Sequence, residues 1–336
     1  MAVRPGPVKR LARGGVGSLG GFGIRLDGGL GGPEKAITKM SEGLSRRNFF
    51  KGALAAVAST VLPRSMGHAH GLPSKGDVFA VLVDLTRCIG CRSCMRGCQR
   101  SNDLKVSQEL MDMDHLSTRL DPTYNLWTVV NNEGGGLSPV RHVKRQCMHC
   151  LEPACVSVCP VAALHQTDQG PIIYRESRCI GCRYCMIACP FDVPRFEWNN
   201  GLTPVIGKCQ FCAQQRLFKG LPPGCVESCP TGALKFGKRD DLLFEAKARI
   251  RSRPEIYVDH IFGEDEVGGT TWLYLSDVPF DQLGFKKNLP KRPLPSFTWD
   301  VVSWIPGIAT VLASLFGVLA FSLSRKSDHS KGEKHS

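Results

Sequence analysis

Cysteine is absent from both ends of this 336-residue chain: none precedes Cys88 and none follows Cys229. Acidic residues are scarce at the start, where residues 1–69 hold 3 Asp/Glu against 11 Lys/Arg. The remainder holds 27 against 32, so most of the formal +13 sits in a leader and gives no nucleic-acid-binding face. No nickel- or molybdenum-binding motif, flavin fingerprint or nucleophile grouping of Ser, His and Asp occurs. The single G-x-G-x-x-G, Gly15 to Gly20, follows no strand and opens no βαβ unit, which excludes a dinucleotide site. The chain therefore offers no centre that would bind and transform a substrate, and it reads as non-catalytic.

What is present is sixteen cysteines in one block. Cys88, Cys91, Cys94 and Cys98 form C-x2-C-x2-C-x3-C, and Cys179, Cys182, Cys185 and Cys189 repeat it. Cys147, Cys150, Cys155 and Cys159 open the middle gap to four residues, and Cys209, Cys212, Cys225 and Cys229 open it to twelve. "CVSVCPVAAL" from Cys155 is answered by "CVESCPTGAL" from Cys225, so the block repeats a compact-plus-expanded pair. A [4Fe–4S] cube needs one thiolate per iron; three Cys at short spacing wrap one cube, and the fourth, often before Pro, ligates a partner cube. Pro160, Pro190 and Pro230 fill that position in three groups, and Gln99 stands there in the first. Zinc would accept the fourth group alone but does not call for x2-x2-x3 spacing. Disulfides suit an even Cys count in an oxidising compartment, although an export route for folded, cofactor-loaded proteins suits clusters better. The expected cofactors are four [4Fe–4S] clusters.

The export route is read from "SRRNFFK", Ser45 to Lys51, with Arg46 and Arg47 as the twin-arginine pair. A short apolar run and small residues before a cleavage point after Ala69 follow it. Residues 1–39 read as a disordered leader or as lying ahead of a true start at Met40. At the other end, no charge lies between Asp300 and Arg325. Roughly 20 apolar residues cross a bilayer core of about 30 Å, so this stretch is expected to span. The basic tail after it, with an exported domain before it, sets the tail on the cytoplasmic side.

These motifs resemble the four-cluster ferredoxin-like electron-transfer subunits of membrane-bound, periplasm-facing oxidoreductases. That family includes the β subunits of formate dehydrogenase-N, dimethyl sulfoxide reductase and polysulfide reductase. "RRNF", "QCMHC" (Gln146 to Cys150), "CRYCM.ACP" (Cys182 to Pro190), "GEDEVGGTTWLYLSDVPFDQL" and the C-terminal anchor look most like the iron–sulfur subunit of hydrogenase-2. The resemblance implies that Cys88, Cys91 and Cys94 share a cluster with Cys229, and that Cys98 joins Cys209, Cys212 and Cys225. It also implies that Cys147, Cys150 and Cys155 join Cys189, and that Cys159 joins Cys179, Cys182 and Cys185. Spacing alone supports only the local triads. The implied function is an electron wire between a catalytic subunit, hydrogenase first, and a membrane quinone-reactive subunit. A molybdenum-enzyme β subunit (formate dehydrogenase or a sulfur- or DMSO-type reductase) is the alternative. A metal-stabilised membrane anchor with structural clusters is the second alternative.

The expected fold class is α+β: two intertwined ferredoxin-like modules with an inserted hairpin and one C-terminal transmembrane helix. The expected divisions are a leader at 1–39, a signal at 40–69, the four-cluster domain at 70–240, an extension and Pro-rich spacer at 241–298, an anchor at 299–324 and a tail at 325–336. "VFAVLVD" and "PIIYRES" read as strands, "LWTVV" and "PVRHVK" as a hairpin, and "KFG" as a strand before a helix capped by Asp240 and stopped at Pro254. Arg87, Arg92, Arg178, Arg183, Lys144 and Lys208 flank the cysteines; a cation near a cube would raise its potential, but each is expected to be solvated or partner-facing. His149 is expected to pack or hydrogen-bond, not to ligate.

Overall fold

A computed structural model describes residues 78–106, 119–133, 140–201 and 203–332. The leader, Arg46, Arg47 and the cleavage point after Ala69 lie outside the described residues. The central strand is β1 (Phe79–Asp84), a nearly unbroken apolar run. Such a run needs cover on both faces, and it has it. β8 (Leu234–Lys238) pairs with β1 antiparallel, and β9 (Trp272–Leu275) pairs with it parallel on the other edge. Ala80 and Leu82 point to one face, against Leu242, Ala246 and Ile250. Val81 and Val83 point to the other, into a core with Phe211, Phe262, Trp272 and Tyr274. β9 comes from the 241–298 extension, so that extension completes the central sheet as well as leading to the anchor.

The helix lining the first face runs Arg239–Ser252 and presents Leu242, Ala246 and Ile250 at four-residue steps. Its acidic first turn and basic last turn suit the helix dipole. Lys238 occupies the cap position and Asp240 lies inside the first turn, so the expected Asp240 cap is corrected; the chain leaves the helix just before Pro254 as expected. The hairpin forms from β2 (Val129–Glu133) and β3 (Arg141–Arg145), with Val129 opposite Arg145; the first strand starts at Val129 instead of at Leu126 of "LWTVV", because Leu126 is held in a turn with Thr123, and it runs on through Asn131–Glu133. Two shorter hairpins, β4 (Leu164–Gln166) with β5 (Ile172–Tyr174) and β6 (Arg195–Phe196) with β7 (Ile206–Gly207), complete the strands.

Four helices carry the cysteine block: α1 (Ser93–Asn102), α2 (Ala154–Ser157), α3 (Tyr184–Ala188) and α4 (Gly224–Glu227). α1 packs on α4, and α2 on α3. The absent proline has a local consequence here. Pro190 follows Cys189 and α3 stops at Ala188, whereas Gln99 follows Cys98 and α1 runs on to Asn102.

The long helix Arg239–Ser252 is α5, and the chain ends in α6 (Leu294–Val302) and α7 (Ile305–Gly332). Leu294–Leu323 is the one stretch among the described residues long and apolar enough to cross a membrane, with a mean hydropathy of 2.0 and no part buried by the rest of the chain. The helix breaks at Ser303–Trp304, just before Pro306, and continues beyond the apolar segment to Gly332. Trp299 and Trp304 are exposed near its start, as interfacial tryptophans are.

Candidate iron–sulfur sites

The two compact cysteine loops follow the same backbone path. Gly90 and Gly181 have φ of +71° and +70°, and Arg92 and Arg183, which open α1 and α3, have φ of 55° and 61°. Those left-handed turns swing the second thiol outward: Cys91 and Cys182 are exposed, while Cys98 and Cys185 are buried.

The thiols sort by the charges they feel. Cys88 interacts with Cys229 and Cys91, and Cys94 with Cys225, Cys88 and Cys229. Cys98 interacts with Cys209, Cys225 and Cys212. Cys150 interacts with Cys189, Cys155 and Cys147, and Cys185 with Cys179, Cys182 and Cys159. Four neighbourhoods of four thiols result. One neighbourhood feels the next through Cys94 and Cys225, Cys209 and Cys147, and Cys155 and Cys185.

All sixteen are free thiols. Among the described residues, no three Cys, His, Asp or Glu converge closely enough to hold a single metal ion. Four thiols grouped with one thiolate for each iron suit a multi-iron cube. Hydrogen bonds to sulfur fit the same group. Ala163 N donates to Cys159 Sγ at 3.2 Å, Gly181 N to Cys179 Sγ at 3.4 Å, and Phe211 N to Cys209 Sγ at 3.4 Å. Asn102 Nδ2 reaches Cys212 Sγ at 3.4 Å, a contact made by the added turn of α1.

Burial raises most of these thiols: Cys94 to about 12, and Cys185 and Cys189 to about 11. Metal must therefore displace protons on binding. Cys229 is the exception. Burial pushes it up, but the Thr231 hydroxyl and backbone donors at Leu234, Ala233 and Thr231 together hold it below the usual thiol range.

Three of the flanking cations depart from the expectation of a solvated surface. Arg92, Lys144 and Lys208 are only 2 %, 2 % and 1 % exposed. Arg87, Arg178 and Arg183 do face solvent. Spacing could not separate the two sets, because burial here depends on β3 and the β6–β7 hairpin folding back over distant loops. His149 is fully buried, and its Nδ1 accepts the Ile172 amide at 2.9 Å. Burial first, and then Lys208, holds its pKa well below the usual range, so it is a neutral packing residue as expected.

Comparison with known proteins agrees with this chemistry. Two families described as 4Fe-4S dicluster domains match residues 87–163 and 140–239. A protein of Nitratidesulfovibrio vulgaris is 42% identical over 77% of this chain and 70% of its own length. The hydrogenase-2 operon protein HybA of Escherichia coli O157:H7 is 36% identical over 74% and 84%. The nitrate-inducible formate dehydrogenase iron-sulfur subunit of E. coli K12 is 33% identical over 71% and 83%.

Proposed function

From the premise that this chain belongs to the ferredoxin-like iron–sulfur electron-transfer subunits that include HybA and the formate dehydrogenase iron-sulfur subunits, we propose that it relays electrons between a hydrogenase and a membrane quinone-reactive subunit. The proposed ligand sets are Cys88, Cys91, Cys94 with Cys229; Cys98 with Cys209, Cys212, Cys225; Cys147, Cys150, Cys155 with Cys189; and Cys159 with Cys179, Cys182, Cys185. The observation that carries the reading is the gathering of thiols from distant groups into four neighbourhoods joined end to end. Each bound cluster supplies one-electron uptake and return. The chain's own residues fix the spacing, exclude water and set the local charge.

The joining contacts give an order: the Cys88 set, the Cys98 set, the Cys147 set, then the Cys159 set. α2, which carries Cys155 and leads to Cys159, touches α6 at the head of the apolar helix, which supports placing the last two sets at the membrane end. In this reading the domain faces the periplasm, exported by the Arg46–Arg47 signal and held by the C-terminal helix. A formate dehydrogenase partner is the second reading, favoured by the similar coverage of its iron-sulfur subunits.

Electron paramagnetic resonance on the complex, purified anaerobically from membranes, tests both. Reduced [4Fe–4S] signals on adding hydrogen alone support the hydrogenase wire, and signals with formate alone move the protein to the other partner. Clusters that only dithionite reduces would remove both.

A further inference from the structure

Lys144 lies in β3, three residues before Cys147, and nothing in that local position marks it as unusual. Its Nζ donates to Thr128 Oγ1 at 2.7 Å and to Gln146 Oε1 at 2.7 Å, and it stands 4.3 Å from the centroid of the Trp272 ring. Gln146 Nε2 in turn donates to the Tyr274 hydroxyl at 2.7 Å, and that hydroxyl donates to the Lys144 carbonyl at 2.9 Å. The ammonium is thus clamped inside the core. Its contacts are neutral oxygens and a π face, and among the described residues no carboxylate pairs with it.

A buried, unpaired charge is costly and is retained where an opposing charge faces it. The groups that face it are thiols, neutral on their own and anionic once they bind iron: Cys225 and Cys94 pack in one core with Trp272 and Tyr274, and Cys209, Cys88 and Cys98 also lie in its field. Those five belong to the first and last cysteine groups, from both sides of the hairpin. The second buried lysine serves elsewhere: Lys208 Nζ binds Ile172 O at 2.6 Å and Cys209 O at 2.9 Å, and its charge acts on Cys155.

We infer that Lys144 is the shared counter-cation of the two thiol sets built from the first and last cysteine groups, and that it raises the reduction potential of both bound clusters. The inference rests on the four-cluster relay reading. A cube held by four thiolates gains one negative charge when it takes up one electron, and a fixed cation in a medium of low dielectric favours that reduced form. One charge shared by two cubes makes both easier to reduce.

The test is a potentiometric titration, followed by electron paramagnetic resonance, of the full chain in its membrane complex, with iron counted first. Lys144→Met with full iron should move two of four couples to lower potential, each by about tenfold in the reduction equilibrium, which is about 59 mV for a one-electron couple. The other two should stay in place, and Lys144→Arg should move none. Full iron with no shift, an equal shift of all four couples, or the same shift in the Arg variant would overturn the inference. If the Met variant does not fill, Lys144→Gln, which can still hydrogen-bond, is titrated in its place. If neither neutral variant fills while Lys144→Arg does, the charge itself is required and the inference stands. Failure of all three would make the residue structural and end it. A wild-type chain without [4Fe–4S] signals would instead end the relay reading beneath it.

Discussion

Gly97 in α1 and Gly224 at the head of α4 face each other so closely that neither has room for a side chain. A Cβ on Gly97 would stand 2.4 Å from the Gly224 carbonyl oxygen, and one on Gly224 would stand 2.8 Å from that of Gly97. Backbone cannot yield as a flexible side chain can, so the contact fixes the distance between the first and last cysteine groups. Gly97→Ala or Gly224→Ala should therefore separate the helices and cost the clusters at Cys88 and Cys98. The check is iron content, with about half lost in either variant, and little further loss when the two are combined because one contact is broken twice.

Ligand sharing predicts which cysteine pairs behave as one. Cys88→Ser combined with Cys229→Ser should lose about four irons per chain, no more than either substitution alone. Cys88→Ser combined with Cys189→Ser should lose about twice that. Metal analysis of anaerobically purified protein distinguishes the two, and equal losses would refute the proposed sets.

Gly90 and Gly181 occupy matching places in the compact loops, but their surroundings differ. A Cβ on Gly90 would come within 2.5 Å of the His142 ring, whereas one on Gly181 would make ordinary contacts with Phe196 at 3.7 Å and Pro204 at 3.8 Å. Gly181→Ala should carry only the left-handed backbone cost, about 1 kcal/mol. Gly90→Ala adds a clash and should lower the melting temperature further.

Asp84, almost fully buried at the end of β1, accepts from Arg249 Nη1 at 2.8 Å, from the Tyr257 hydroxyl at 2.9 Å and from Thr86 Oγ1 at 2.6 Å. Asp84→Ala takes this acceptor from the Tyr257 and Thr86 hydroxyls and one of two carboxylates from Arg249, which keeps Glu245 at 2.6 Å, and should cost about 2 kcal/mol in urea unfolding. Arg249→Ala together with Asp84→Ala should cost less than the two separate losses added.

The pair Arg141–Asp277 gives a pH dependence. Arg141 Nε donates to Asp277 Oδ1 at 2.8 Å and a second guanidinium nitrogen donates to Oδ2, binding β3 to the segment after β9. That hydrogen bond, ahead of the opposing effect of burial, lowers the Asp277 pKa from its ordinary 3.8. The folded state then binds the proton less readily than the unfolded chain. The stabilisation is therefore complete above the unfolded pKa and is lost as pH falls through the folded one. Wild type should exceed Asp277→Asn by about 1 kcal/mol at pH 7 and at pH 5, with the gap closing below about pH 4.

The strands at "FAVLVD" and "PIIY", the β2–β3 hairpin and the stop before Pro254 were all legible, because each rests on residues a few positions apart. The extension at 241–298 was not read as part of the sheet, since a parallel partner for β1 can come from any later apolar run and nothing local names it. Asp240 looked like a cap because it precedes an apolar helix, but β8 runs straight into α5 and leaves the cap to Lys238. Asn102 reaches a sulfur only because Gln99 lets α1 continue, a consequence of the missing proline that spacing did not reveal.

The sequence by itself determined the chemistry: sixteen thiols at spacings that wrap iron–sulfur cubes, and an apolar segment long enough for a membrane. Such statements follow from composition and short-range spacing. Which thiols share a neighbourhood, and which three of the six flanking cations enter the core, were decided by tertiary structure. Cys229 comes within the field of Cys88, and Lys144 within that of both ends of the block, through packing between segments far apart in the chain, Gly97 against Gly224 among them. Burial turns an ordinary basic residue into an uncompensated charge, and no count of residues between cysteines contains that information.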